Sequence, residues 1–223
     1  MRGISRSTKD FDLYVRPNDV KAAFRALAHA GYKTELRFPH WLAKATYEGD
    51  ILDLIFRAGN GLCEVDDSWF DRAREDELLG VPVKLCATEE MIWMKAYIME
   101  RERFDDADIA HILRCCAAEI DWVHLVRQFG SDWRVLLTHL FGYIYAGERA
   151  RIPAAIMEDL VTRLRSETRT AGRERLCRGT LLSRQQYLVD VQEWGLRDAR
   201  LEERVEMNER DIADWTDAIE KEQ

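Results

Sequence analysis

The stretch Arg6-Ser7-Thr8-Lys9-Asp10-Phe11-Asp12-Leu13-Tyr14-Val15 reads as a small polar turn running into a strand. Its second half alternates with period two. Asp10, Asp12 and Tyr14 project to one side, and Phe11, Leu13 and Val15 to the other. Two carboxylates two positions apart on a strand point the same way, roughly 6–7 Å apart along the backbone. Like charges that close repel each other, and a divalent cation removes the repulsion. Hard cations such as Mg²⁺ prefer carboxylate oxygens, and paired ions about 3.5–4 Å apart serve phosphoryl and nucleotidyl transfer. A solvated strand edge that carries two aspartates is the plainer reading of the same pattern, and the residues that follow bear on the choice.

Downstream, Pro17-Asn18-Asp19 is a turn and a helix cap. Val20, Ala23, Phe24, Leu27 and Ala28 repeat at helical spacing, and Gly31 ends that helix. Strand-like pieces follow over 33–38 and 41–47, with Glu48-Gly49-Asp50 as a turn before a third, Ile51-Leu52-Asp53-Leu54-Ile55-Phe56. That third piece is apolar apart from Asp53 and reads as a central strand buried on both faces. A carboxylate there is costly unless it is paired, hydrogen-bonded or metal-bound. Asp53 either caps a neighbouring loop or pairs with an arginine, or it is a third carboxylate facing Asp10 and Asp12 from a neighbouring strand.

The chain then predicts a short amphipathic helix over 66–77 with Trp69, Phe70 and Ala73 inward. A turn and short strand over 80–85 come next, with Pro82 at an edge or a strand start. A helix begins at Thr88, read as its cap, with Met91 where a capping box would carry Glu or Gln. Lys95 lies among apolar neighbours on that helix, so it either snorkels outward or aims a cation at a phosphate. A charged turn over 100–103 precedes another helix from Phe104, whose acidic first turn favours the helix dipole. From about residue 118 the pattern is helical throughout, including 154–167 behind Pro153. The expected fold class is α+β: a small mixed β-sheet with flanking helices over 1–115, then an all-helical C-terminal region over 116–223.

The 47 % hydrophobic and 33 % charged content is ordinary for a soluble globular protein. A net charge of −8 argues against broad, sequence-blind nucleic-acid binding. Five cysteines, with Cys115-Cys116 adjacent, suggest neither a disulfide framework nor a metal site, and point to reduced thiols in the cytoplasm. No apolar run approaches a membrane span, and no signal-peptide pattern opens the sequence. Arg163, Arg165, Arg169, Arg173 and Arg175 form a basic stretch that is either a solvated face or a grip on RNA.

Several residues together resemble a known family. Ser7-Thr8-Lys9-Asp10-Phe11-Asp12-Leu13-Tyr14-Val15 resembles the metal-binding strand of the DNA polymerase β-like nucleotidyltransferase superfamily. The likeness is greatest to its small bacterial branch of minimal nucleotidyltransferases and abortive-infection type toxins. Ala30-Gly31-Tyr32, Ile51-Leu52-Asp53-Leu54-Ile55, Glu90-Met91-Ile92-Trp93-Met94-Lys95 and Arg103-Phe104-Asp105-Asp106-Ala107-Asp108-Ile109 follow in matching order. The resemblance covers about residues 3–115. It implies that Asp10 and Asp12 bind catalytic Mg²⁺ or Mn²⁺, and that Asp53 is a third metal ligand and possible base. It further implies that Lys95 meets the triphosphate, that Ser7 and Thr8 lie beside the phosphates, and that Asp108 supports Lys95 or the substrate. The family carries a Gly-Gly or Gly-Ser phosphate loop about ten residues before its first aspartate, a nest of backbone N–H groups. That position falls at or before Met1, so against the resemblance either the true start lies upstream or part of the nucleotide site is lost.

The activity so implied is transfer of a nucleotide from an NTP to a hydroxyl of RNA, protein or a small molecule, with no membrane involved. The rival expectation is a non-catalytic relative that binds nucleotide or protein, with an antitoxin as partner in a toxin–antitoxin pair.

Overall fold

The fold is that of a computed structural model, and it describes residues 10–147, 149–167 and 175–221. Four strands form one mixed sheet: β1 (Asp10–Tyr14), β2 (Lys33–Phe38), β3 (Leu42–Tyr47) and β4 (Asp50–Ile55). Their spatial order is β1-β4-β3-β2, with β1 parallel to β4 and the other pairs antiparallel. The β3–β4 connection is the two-residue turn Glu48-Gly49, with φ of 50° and 99°. Positive φ at both positions matches the right-handed twist of a hairpin, and glycine adopts it freely. With Tyr47 opposite Asp50, the ladder carries Lys44 opposite Asp53.

One face of the sheet is apolar because the odd positions of β3 and the even positions of β4 are apolar. Ala43, Ala45, Leu54 and Phe56 are buried there under Val20, Ala23, Phe24 and Leu27 of α1 (Val20–His29). The opposite face carries Phe38, Leu42, Ile55 and Tyr14. A bulge between Leu36 and Phe38 sets Phe38 opposite Leu42, so the last residue of β2 turns to the face that Leu36 does not share. Phe38 and Leu42 are capped by Trp215 and Ala218 from the end of the chain.

The largest core is helical. It joins Trp69 of α2 (Asp67–Arg72) to α3 (Thr88–Ala96), α4 (Asp106–Cys116), α5 (Trp122–Phe129), α6 (Trp133–Ala146) and α7 (Ala154–Glu167). Ile92, Ile109, Leu113, Leu125, Leu136 and Leu160 are among its fully buried members, so this core draws on residues either side of position 116. At 20–33 cal/mol per Å² of apolar surface, each such side chain stabilises the fold by about 1.5–3 kcal/mol.

The class is α+β with a small mixed sheet and helices, and several expectations need correction. The expected helix over 66–77 stops at Arg72. Residues Arg74–Leu78 instead form β5, paired with β6 (Val81–Leu85). The alternation of Arg74-Glu75-Asp76-Glu77 has no apolar stripe to pack, and a turn at Leu79-Gly80 closes the hairpin. Thr88 is the first residue of α3, and Ala87 holds the cap position with no side-chain bond. The helix expected from Phe104 begins at Asp106.

The C-terminal region is not all-helical. Leu176–Cys177 (β7) pairs in parallel with Arg197–Asp198 (β8), with α8 (Leu188–Gln192) between them. Arg200, 1 % exposed, donates to both oxygens of Asp198 and to Thr216 Oγ1, beside a small apolar cluster of Leu181, Ala199 and Val205. The last helix, α9 (Glu209–Asp217), starts at Asn208 in a reciprocal capping box with Asp211. Among the described residues no helix is long and apolar enough to cross a membrane.

Trp215 joins the chain end to the sheet. Trp215→Ala should lower stability in urea unfolding by about 3–5 kcal/mol. A loss below about 1 kcal/mol, the scale of a surface change, would mean that α9 is not seated on Phe38 and Leu42.

Candidate functional site

Strand register aligns four charged side chains in one row across the sheet. Asp12 pairs with Asp53, Asp53 with Lys44, and Lys44 with Glu35, on β1, β4, β3 and β2 in spatial order. Register partners project from the same face of a sheet, and neighbouring strands lie about 4.8 Å apart. The row Tyr14–Ile55–Leu42–Phe38, two residues along, is apolar and lies under the helices. Along the row exposure rises from β4 to β2: the Asp53 side chain is 14 % exposed, Lys44 32 % and Glu35 67 %. The charged row therefore sits at the lip of the helical cover, where the sheet face opens to solvent.

Lys44 Nζ donates to both carboxylate oxygens of Asp53, at 2.8 and 3.1 Å. The basic partner that a carboxylate in a strand needs is thus supplied from the next strand. Asp12 is exposed at the β1 edge of the row. Of Asp10 the structure describes the backbone, which pairs with Ile51. Its side chain, and Ser7 and Thr8 entirely, lie outside the described residues. Tyr14 turns its hydroxyl to Met91 Sδ at 3.9 Å and its ring to Trp69 at 5.1 Å. Burial, with Cys86 and Asp12 nearby, pushes its pKa well above the ordinary phenol value.

A second ionic cluster lies where α3 meets α4. Lys95 Nζ donates to Asp105 Oδ2 at 2.9 Å and to Asp108 Oδ2 at 2.8 Å. Arg103 grips Asp105 with two bonds of 2.9 Å. Burial works against the charge on Arg103, but Asp105, Asp108 and Asp12 hold its pKa above the ordinary value. Arg103 is thus within electrostatic reach of Asp12 and links this cluster to the charged row. Burial raises the Asp105 pKa, but Arg103 and Lys95 outweigh it and hold the carboxyl below its usual range.

The loop carrying Arg103 is braced from behind. Glu100 N donates to Arg103 O, Asp105 N to Ile98 O, and Met99 N to Leu182 O. Glu100, 8 % exposed, accepts two bonds from Arg184 at 2.7 and 2.9 Å, and Arg184 itself lies 5.5 Å over the Trp215 ring. The segment around 178–200 therefore stiffens the loop that presents Arg103 and Asp105.

The structure brings Asp12 beside Asp53, and Lys95 onto Asp108. Lys44, Arg103, Asp105 and the Arg184–Glu100 brace were not singled out by sequence reasoning. Lys44 had a usable signal, because a two-residue turn at Glu48-Gly49 sets 47 opposite 50 and so 44 opposite 53. In the basic stretch, Arg163 pairs with Asp159 at 2.7 Å, and Arg169 and Arg173 lie outside the described residues. Among the described residues, no group of three or more His, Cys, Asp or Glu side chains is gathered for a metal ion. The donors that do meet, two carboxylates at one register position, are hard oxygens of the kind Mg²⁺ and Mn²⁺ take. The ammonium on Asp53 shows that this carboxylate accepts a cation. Comparison with known proteins finds no matching family model, no matching curated protein and no matching solved structure.

The lowered pKa of Asp105 fixes a pH dependence. A carboxylate lowered in the folded state contributes stability that is complete above its unfolded pKa, about 3.9, and is lost as pH falls through the lower folded value. Stability in denaturant should therefore fall below about pH 4, and fall less steeply in Asp105→Asn. That variant should also lose on the order of 1 kcal/mol at neutral pH, because the ion pair with the largely exposed Arg103 is lost. An equally steep acid fall in Asp105→Asn would assign the effect to other carboxylates.

Proposed function

We propose that this chain is a metal-dependent nucleotidyltransferase of polymerase β-like fold, moving a nucleotide from an NTP to a hydroxyl of RNA, protein or a small molecule. The observation that carries the reading is the register pairing of Asp12 with Asp53 on parallel neighbouring strands, two residues beyond Asp10. The ionic cluster of Lys95, Arg103, Asp105 and Asp108, linked to Asp12 through Arg103, supports it.

In this reading Asp10, Asp12 and Asp53 hold Mg²⁺ or Mn²⁺. When bound, the cation neutralises phosphate charge and makes the acceptor hydroxyl more acidic. Asp53 then takes the hydroxyl proton as the acceptor oxygen bonds to the α-phosphorus and pyrophosphate leaves. Lys95, steadied by Asp108, sets a fixed positive charge toward the leaving phosphates. Arg103, its Nε and Nη2 held by Asp105, adds a second fixed positive charge beside Lys95. Positioning and charge neutralisation carry the rate, as expected for phosphoryl chemistry.

One observation favours a second reading. Lys44 already neutralises Asp53, as expected of a non-catalytic relative that keeps the carboxylates as a structural ion pair and acts by binding nucleotide or an antitoxin-like protein partner.

Incubation with labelled NTPs, Mg²⁺ and candidate acceptors separates the two. Labelled product should fall by roughly 100-fold or more in Asp12→Ala, the scale of losing one transition-state contact. Equal labelling by wild type and variant would refute the transferase. NTP binding without transfer by the wild type would favour the second reading.

A further inference from the structure

We propose that Lys44 is a displaceable counter-ion that gates the carboxylate site. Its ammonium holds Asp53 until a divalent cation takes its place, and Glu35 then receives it. The proposal rests on the cation-binding part of the reading above and not on the transfer chemistry.

The geometry that points to it is the position of Lys44 between two carboxylates in one row. Asp53 is its register partner on β4, and Glu35 is its register partner on β2. Directly opposed side chains on antiparallel strands have Cβ atoms about 4.5–5.5 Å apart. Lys44 can therefore exchange one carboxylate for the other by rotating its own stem, with no movement of the sheet. Its four-carbon chain and freely rotating ammonium suit such an exchange better than a planar guanidinium would.

The two partners are not equivalent. Asp53 is 14 % exposed and takes both bonds from Lys44, whereas Glu35 is 67 % exposed and pairs with Arg37 at 3.9 Å. Without a divalent ion, the less solvated carboxylate gains more from the ammonium, because screening is weaker there. A divalent ion beside Asp12 and Asp53 repels the ammonium and competes for the same oxygens. The displaced ammonium then has an exposed acceptor waiting on its other side.

The test is Mn²⁺ binding, read by electron paramagnetic resonance of the free ion on the full chain, with no nucleotide present. Lys44→Met keeps the apolar stem and removes the charge, and should bind Mn²⁺ at least about tenfold tighter than wild type. The gain should vanish in Lys44→Met/Asp53→Asn. Glu35→Gln should weaken binding, because the displaced ammonium loses its second partner. Lys44→Gln, which keeps a polar head group, provides the same comparison if Lys44→Met does not fold. Equal affinity in wild type and both Lys44 variants overturns the proposal, and so does a gain that survives Asp53→Asn. Loss of transferase activity with the Mn²⁺ pattern intact would fault the transferase reading and leave the gate standing. The converse result would fault the gate alone.

Discussion

A carboxylate inside a central strand is the constraint around which this structure is arranged. Asp53 lies on β4 between β1 and β3, with Asp12 on one side and Lys44 on the other. Two unit negative charges about 5 Å apart repel by roughly 3 kcal/mol at an effective dielectric near 20. An unpaired carboxylate in partly dry surroundings adds a desolvation cost. Lys44 offsets both, and it can do so because the tight Glu48-Gly49 turn fixes the register that brings it alongside.

The helices determine how wet this row is. Tyr14 and Ile55 pack against the main helical core, while Phe38 and Leu42 meet Trp215 and Ala218. That cover ends one row short of the charges. The sheet face is thus dry enough to bind its strands together and open enough for a charged solute to reach Asp12. The bulge in β2 contributes here, because it turns Phe38 toward the Trp215 side.

The far end of the chain also shapes the site, though none of its residues belongs to the charged row. Arg184 holds Glu100, and Leu182 holds Met99, so the loop carrying Arg103 and Asp105 is fixed from its outer side. Glycine makes part of this contact possible. A Cβ on Gly59 would come within 3.0 Å of the Trp215 ring, and one on Gly61 within 2.7 Å of Met207. The region that sequence patterns could describe only as helical is a brace, held by buried arginines that leave no periodic trace.

The period-two alternation of Asp10-Phe11-Asp12-Leu13-Tyr14, the helical spacing of α1, and the strands on either side of Glu48-Gly49 were legible because local geometry dictates them. Even the Lys44–Asp53 pair was implicit, since a two-residue turn fixes which residues face each other. The helix predicted past Arg72 was wrong because nothing local distinguishes a short polar strand from a polar helix when neither face is buried. Parallel pairing of β1 with β4 and the reach of Arg103 toward Asp12 depend on residues about forty and ninety positions apart in the chain. The return of Trp215 to β2 and β3 spans about 175 positions. Such contacts arise when separate apolar faces find a common core, and no local pattern of residues encodes that choice. The sequence by itself determined which side chains carry charge and which strands carry them; the tertiary structure alone decided which charges meet.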